Sequence, residues 1–148
     1  MNELIEKLKA KGIILTHQRL AIFSFLRDHP DNHPTASEIY RHLRQDYPTL
    51  SLATVYSTLE LLRNEGQIRE LSIRGHPSCY DMADRPHYHL LCRQCGRIVD
   101  VDIPCPSLDQ GALQGHRVEE IELYLYGICR DCIKANHSQG GKRCPTSP

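Results

Sequence analysis

Two Cys-x-x-Cys pairs constrain the fold of this chain more than any other feature. Cys92 and Cys95 form the first pair, and Cys129 and Cys132 form the second. Four thiolates at these spacings suit a tetrahedral zinc site, and four filled positions are typical of structural rather than catalytic zinc. The alternative is a redox dithiol, but a thioredoxin-like motif would usually occur once, in a βαβ context. We therefore predict structural Zn(2+), with Gly96 in the tight turn after the first pair.

The segment that carries these pairs is too short to be stable without such a staple. Alternating apolar residues in "HYHLLC", "RIVDVD" and "RVEEIELYLYGIC" predict strands, and "PCPSLDQGALQGH" predicts a short helix around residues 108–113. A unit of roughly 50 residues seldom builds a sufficient core from apolar side chains alone. The Gly-, Ser- and Pro-rich residues 136–148 predict a disordered tail.

The first 83 residues predict a winged helix-turn-helix. A short helix over residues 2–11 precedes three segments with helical apolar spacing, "THQRLAIFSFLRDH", "HPTASEIYRHLRQDYP" and "TLSLATVYSTLELLRNEG". Thr35 or Ser37 can cap the second of these, Ser51 can cap the third, and Gly66 can end it. Next, "QIRELSI" and "PSCYDM" alternate like a hairpin across the turn "RGHP". Three helices followed by a hairpin make the winged unit.

Charge and hydropathy limit the classes of protein to consider. The chain has 18 basic and 18 acidic residues, so any binding of nucleic acid must rest on local arrangement. No run approaches the roughly 18 to 20 apolar residues of a membrane span, and the N-terminus lacks a signal-peptide core. We expect a cytoplasmic protein with no membrane contact. Of the seven cysteines, Cys79, Cys105 and Cys144 lack partners at ligand spacing, and we interpret them as one buried apolar residue and two loop thiols.

Histidines and aspartates offer a second, less specific metal site. His87 and His89 lie two apart on a predicted strand, so their side chains point to the same face. Asp100 lies on the adjacent strand, and Asp81 lies on the hairpin just before the linker. Imidazole with carboxylate suits Fe(2+) or Mn(2+), but such residues are also common on a polar surface. Spacing alone leaves both readings open.

Four stretches, "HPTASEIY", "PTLSLATVYSTLELL", "HYHLLCRQCGRIVD" and "YLYGICRDC", occur in an order that resembles the ferric uptake regulator (Fur) family of metal-responsive repressors. The resemblance runs from about residue 10 to about residue 135 and is strongest to the peroxide-sensing branch. It implies a regulatory Fe(2+) or Mn(2+), with His33 and His87 as the targets of oxidation. The implied ligands are His33, Asp81, His87, His89 and Asp100. The iron-responsive branch more often has Glu at positions 81 and 100, and its further ligands are replaced here by Pro86, Tyr88 and Ile121.

The resemblance also implies a homodimer that binds a double-stranded DNA operator with pseudo-palindromic half-sites. Residues 1–83 would be the DNA-binding domain, 84–86 a hinge, and 87–135 a small α/β dimerisation and metal-binding domain, which together make an α+β protein. Residues 51–65 would form the recognition helix. The implied DNA contacts are Arg19, Tyr40, Ser51, Ala53, Thr54, Tyr56 and Ser57.

In the DNA-binding half, Tyr56 has two possible roles, and Ile14 and His17 depart from the family pattern. Helical spacing also allows Tyr56 to be a core residue, and that alternative stays open. The chain departs from the family at Ile14, where a basic residue is common, and at His17, which replaces a proline. The loss of the basic residue puts the usual preference for A·T pairs beside each half-site in doubt.

The function we expect is that of a transcriptional repressor, not an enzyme. It would sense peroxide through metal-catalysed oxidation of its histidine ligands. The alternative within the family is a repressor of iron or zinc uptake, which responds to metal supply without oxidation. A metalloenzyme would need a nucleophile or general base that the sequence does not suggest, and a zinc-stapled interaction module would leave the first 83 residues without a role.

Overall fold

The structure is a computed structural model that describes residues 2–83, 85, 87–104, 115–118 and 121–137. The chain divides into two compact units, Met1–Arg85 and Pro86–Pro148. The predicted helix at residues 108–113, Cys105, Cys144 and residues 138–148 of the predicted tail lie outside the described residues.

Four helices form the first part of unit 1. They are α1 (Asn2–Ala10), α2 (His17–Asp28), α3 (Ala36–Leu43) and α4 (Leu52–Asn64), and all four were predicted. Thr35 rather than Ser37 caps α3, because its hydroxyl accepts from the Glu38 backbone N–H while the Glu38 carboxylate accepts from the Thr35 backbone N–H. Ser51 caps α4 as predicted, by accepting from the Thr54 backbone N–H at 3.0 Å.

The core of unit 1 lies between α2, α3 and α4. Its most buried side chains are Leu8, Ile22, Leu26, Ile39, Val55 and Leu59. The helical apolar spacing of "TLSLATVYSTLELLRNEG" predicts that Leu52 faces the core together with Val55 and Leu59, and for Leu52 this is wrong, because its side chain is 37% exposed. It lies in the first turn of α4, whose N-cap Ser51 is itself exposed.

A two-stranded antiparallel hairpin completes unit 1 and confirms the predicted change of period after Gly66. Its strands are β1 (Ile68–Leu71) and β2 (Cys79–Met82). Strand β2 is held to the segment before α3, because the Tyr80 backbone N–H donates to the Pro34 carbonyl at 3.0 Å and Thr35 forms a bridge with Cys79. Cys79 is fully buried, as predicted. Burial, reinforced by the charge of Asp81, raises the pKa of its thiol to about 12.

Unit 2 contains a three-stranded sheet and a helix. The strands are β3 (Tyr88–Cys92), β4 (Ile98–Val101) and β5 (Tyr124–Gly127), and the helix is α5 (Arg130–His137). Strand β3 is central, antiparallel to β4 and parallel to β5. The prediction that "RVEEIELYLYGIC" is β-like is confirmed at β5, whereas its other described residues, 117–118, 121–123 and 128–129, are not in a strand. Helix α5 was not predicted. Within the described part of the chain, no helix is both long enough and apolar enough to cross a membrane.

Candidate metal centres

The four predicted zinc ligands come together in unit 2. Cys92 ends β3, Cys95 lies in the following turn, Cys129 follows β5, and Cys132 lies in the first turn of α5. The Sγ atoms of Cys92 and Cys132 are 3.9 Å apart, and those of Cys95 and Cys129 are 3.8 Å apart. Sulfurs bound to one tetrahedral zinc at about 2.3 Å are about 3.8 Å from each other. The cysteine cluster therefore has the dimensions of a zinc site.

Backbone geometry prepares the cluster to bind a cation. Gly96 has a φ of +76°, which suits glycine, and its N–H donates to the Cys92 carbonyl at 2.8 Å in the predicted tight turn. The Cys129 N–H donates to the Cys92 sulfur at 3.3 Å. Burial opposes ionisation of the Cys92 thiol, but donated N–H groups outweigh it and lower its pKa to about 6. A thiolate is the form that binds zinc.

Unit 1 contributes two of the predicted regulatory ligands. His33 precedes α3 and Asp81 lies on β2, and both side chains are buried, with His33 Nε2 3.8 Å from Asp81 Oδ1. The contacts of β2 with Pro34 and Thr35 account for this proximity. His33 has a φ of +43°, an uncommon conformation for a residue with a side chain, and such conformations concentrate at functional sites. We call His33 and Asp81 the unit 1 pair.

Unit 2 contributes the other three. His89 and Asp100 are directly opposite each other on β3 and β4, and His87 lies two residues before His89 on the same face. The Nε2 atoms of the two histidines are 3.1 Å apart, and each is 3.7 to 3.8 Å from Asp100 Oδ1. We call these residues the unit 2 triad.

The donor atoms of both sets fit a divalent metal. Adjacent ligands of an octahedral ion with bonds of about 2.1 Å are about 3 Å apart, close to the spacing in the triad. Two nitrogens and one carboxylate oxygen suit Fe(2+) or Mn(2+), whereas the four sulfurs of the cysteine cluster suit Zn(2+). Burial of a carboxylate beside imidazoles is also costly unless a partner or a metal compensates it.

The residues expected to contact DNA lie in unit 1, on and around α4. Ser51, Ala53 and Ser57 are exposed and Thr54 is half-buried. Tyr56 is 51% exposed, which excludes the alternative that it is a core residue.

The other two expected DNA contacts, and the departure at residue 14, lie outside α4. Arg19 is half-buried, and its Nη1 donates to the Ile14 carbonyl at 2.7 Å. Tyr40 is half-buried, and the Arg44 guanidinium lies over its ring at 5.6 Å. Ile14, which stands where the family often has a basic residue, is 76% exposed.

Sequence reasoning missed one residue at the cysteine cluster. Arg97 Nη2 donates to the Cys129 sulfur at 3.9 Å and to Asp131 Oδ2 at 2.8 Å. A basic residue two positions after a Cys-x-x-Cys pair was the available signal. The sequence alone did not indicate the Arg97–Asp131 contact, because Asp131 lies on helix α5, which was not predicted.

These features define a metal-binding protein of mixed α and β structure with two kinds of centre. The model of the ferric uptake regulator family matches residues 10–126. The chain therefore belongs to the ferric uptake regulator family.

Particular relatives narrow this placement. The "Peroxide operon regulator" of Bacillus subtilis (strain 168) is 38% identical over 141 residues, which cover 93% of this chain and 97% of that protein. PerR from Streptococcus pyogenes, solved as a "structural basis for peroxide sensing and gene regulation", is 36% identical with a TM-score of 0.51, and the match covers 88% of this chain and 90% of that one. The structure "GAS PerR-Zn-Zn" is 34% identical with a TM-score of 0.53, over 96% of this chain and 90% of that one. These relatives are regulators, not enzymes.

Proposed function

We propose that this chain is a metal-dependent, DNA-binding transcriptional repressor that senses peroxide by oxidation of its own histidine ligands. The observation that carries the proposal is the unit 2 triad, in which two imidazole nitrogens and a carboxylate oxygen lie 3.1 to 3.8 Å from one another. The similarity to the Bacillus subtilis peroxide operon regulator supports it. Its place of action would be the cytoplasm, where the operator DNA is.

We propose further that the unit 1 pair and the unit 2 triad bind one Fe(2+) or Mn(2+) together. The pair offers two donor atoms and the triad three, and neither set alone fills an octahedral ion. Five ligands would leave a sixth position open to a small molecule. Because the ligands come from both units, the ion would fix the orientation of one unit relative to the other.

The histidines of the site would be both ligands and targets. Bound Fe(2+) would cleave the O–O bond of peroxide by a one-electron transfer, whereas Mn(2+) does not undergo this reaction readily. In the net reaction, one peroxide oxygen would be added to a histidine, which is oxidised by two electrons, and the other would leave as water. The resemblance to the peroxide-sensing branch of the family implies that His33 and His87, both buried, would receive the oxygen. An oxidised imidazole is a poorer ligand, so the ion would be lost and the units released from their DNA-binding orientation.

The DNA-binding surface would be the exposed face of α4 in a homodimer formed through unit 2. A dimer has two recognition helices at one fixed separation, which pseudo-palindromic half-sites require. The exposed Ala53 and Tyr56 would contact thymine methyl groups. Ser51 and Thr54 would contact phosphates next to these bases. Ser57, Arg19 and Tyr40 would lie along the DNA backbone.

The test is mass spectrometry of the Fe(2+)-loaded protein before and after one equivalent of peroxide, with operator binding measured on the same sample. We expect added oxygen on His33 or His87 and loss of operator binding. The Mn(2+)-loaded protein is the matched metal control. His29 and His42 are exposed histidines outside both sets and serve as internal controls for nonspecific oxidation.

One result would favour the alternative of an iron or zinc uptake repressor. In that case the iron form would keep its histidines unmodified and stay bound to the operator after peroxide, while removal of the metal would release it. Oxidation of His29 and His42 to the same extent as His33 and His87 would also contradict peroxide sensing at this site.

A further inference from the structure

Arg97 links the cysteine cluster to the start of α5. Its Nη2 group donates to Asp131 Oδ2 at 2.8 Å and reaches the sulfur of Cys129 at 3.9 Å. The Arg97 side chain is about one third exposed, so it lies at the boundary between the cluster and solvent. Its backbone carbonyl accepts from the Cys92 N–H at 2.9 Å, which fixes the start of this side chain within the same turn. Arg97 is therefore held beside the cluster at both ends.

The four sulfurs differ in their access to solvent. Cys92 and Cys132 are fully buried, Cys129 is buried, and Cys95 is half-buried. Cys95 and Cys129, whose sulfurs lie 3.8 Å apart, are the more exposed two of the four residues, so we take them as the outer side of the cluster. A small solute from water meets this side first. On that side, the guanidinium of Arg97 lies against Cys129.

Arg97 also changes the chemistry of the sulfur it touches. Four thiolates around one Zn(2+) leave two excess negative charges. A cation and an N–H donor at a thiolate make it less basic, and a less basic thiolate is a weaker nucleophile. Outer contacts of this kind also tune how strongly a ligand holds its metal.

A protein that meets peroxide exposes these sulfurs to a defined side reaction. The lone pair of a thiolate attacks one oxygen of peroxide, an S–O bond forms, and the O–O bond breaks. The sulfur is oxidised by two electrons to a sulfenic acid, and the second oxygen leaves as hydroxide. A sulfenic acid is a poor zinc ligand, so the reaction would release zinc and destroy the fold of unit 2.

We propose that Arg97, oriented by Asp131, is a positioning residue that protects the zinc-bound sulfur of Cys129 from peroxide. The relevance of this protection rests on the proposed function, because it would direct peroxide to the histidine site. The protection itself requires no iron. It can therefore be tested on the full-length chain loaded with zinc only.

The experiment measures the rate of zinc release under peroxide with a metal-sensitive dye. The Arg97→Gln variant should release zinc at least about threefold faster, because loss of the positive charge raises the nucleophilicity of the sulfur. Arg97→Lys keeps a cation and should restore most of the protection. Arg93→Gln is the matched control and should behave like the unchanged protein, because the Arg93 guanidinium lies over the Tyr126 ring at 5.6 Å.

A second measurement separates protection from a merely structural role. Release to a chelator without peroxide reports how firmly the zinc is held, and Arg97→Gln should change that rate by a smaller factor than it changes the peroxide-driven rate. Trapping of sulfenic acid should show more modification at Cys129 relative to Cys95 in this variant. If Arg97→Gln does not fold, Asp131→Asn tests the same contact, with a smaller acceleration expected.

Two outcomes would overturn the proposal. One is an unchanged peroxide-driven rate in Arg97→Gln, and the other is an equal acceleration with chelator alone. The proposed function can fail separately: histidines that stay unmodified in the iron form would refute peroxide sensing and leave the zinc-release rates standing.

Discussion

The cysteine cluster and the histidine and aspartate sets differ in how the chain supplies them. The four cysteines of the cluster lie in unit 2, one pair across the turn after β3 and the other at the start of α5, and their sulfurs already have the spacing of tetrahedral zinc. The proposed regulatory ligands are divided in sequence, with His33 and Asp81 in unit 1 and the triad in unit 2. A site within one unit stabilises that unit. Metal binding at a site whose ligands come from two units would depend on the conformation of both units.

The donor chemistry of the two centres follows the same division. Thiolates bind zinc tightly and fill every position, so the cluster has no place for a reactant. Imidazoles and carboxylates bind Fe(2+) or Mn(2+) less strongly, and the five ligands we propose would leave a position open. We therefore expect loss of a cysteine to affect folding and loss of a triad residue to affect metal response.

The largest effect should come from removal of one sulfur. In Cys132→Ser we expect unit 2 to unfold, because structural zinc contributes on the order of 10 kcal/mol to folding. Circular dichroism and zinc content would show it. Cys79→Ser is the contrasting control: Cys79 is buried in unit 1, so this variant should keep its zinc. A folded, zinc-free Cys132→Ser protein would contradict the role of the cluster as a staple.

A smaller effect is expected at the triad. Asp100→Ala should lower the affinity for Mn(2+) by at least about 100-fold, or about 2.7 kcal/mol, because it removes the only carboxylate of the triad. Zinc content and thermal stability should stay unchanged. Calorimetric titration of Mn(2+) measures the affinity, with the exposed Asp102→Ala as the matched control. Equal losses in the two variants would mean that Asp100 acts only through its charge.

The buried thiol of Cys79, which is not one of the zinc ligands, should make the stability of the protein depend on pH. Its pKa is raised from 9.0 to about 12, first by burial and then by Asp81. Above pH 9 the unfolded chain loses this proton and the folded protein keeps it, so stability is lost as pH rises from 9 towards 12. Between pH 9.5 and 10.5 the free energy of unfolding should fall by about 1.2 kcal/mol more than in Cys79→Ser. Urea unfolding at these pH values would measure the difference, and parallel curves would refute it.

The smallest effect should come from the cap beside the unit 1 pair. Thr35→Ala removes the capping box of α3 and should lower the free energy of unfolding of unit 1 by about 1 kcal/mol. Because Thr35 also anchors the segment that follows His33, the affinity for Mn(2+) should fall, but by less than in Asp100→Ala. Ser37→Ala, on the exposed side of the same helix, is the control and should change neither quantity.

Local patterns predicted the local parts of this structure. The caps at Thr35 and Ser51, the hairpin after Gly66 and the turn at Gly96 all follow from a few neighbouring residues, and all are present. The spacing of the cysteines was sufficient to predict their cluster, because two such pairs leave few other uses for the sulfurs.

The features that the sequence did not predict depend on contacts between residues far apart in the chain. The parallel pairing of β5 with β3 joins residues more than 30 positions apart, so no local period reports it. Helix α5 has only eight residues, and its fully buried Cys132 packs against the other cysteines, so no apolar stripe indicates it. The positive φ of His33 is likewise fixed by its surroundings, because a histidine in isolation avoids that conformation.

The position of β3 has a thermodynamic consequence. One end of this strand carries His89 and the other carries Cys92, three residues or about 10 Å further along, in the middle of the sheet. If His89 binds the regulatory metal as we propose, any ordering of β3 by zinc would make the ordering required at His89 less costly. Such coupling is reciprocal, so whatever factor zinc adds to the affinity for iron, iron must add to the affinity for zinc. With the proposed regulatory site empty, the zinc of this protein would then be held less tightly.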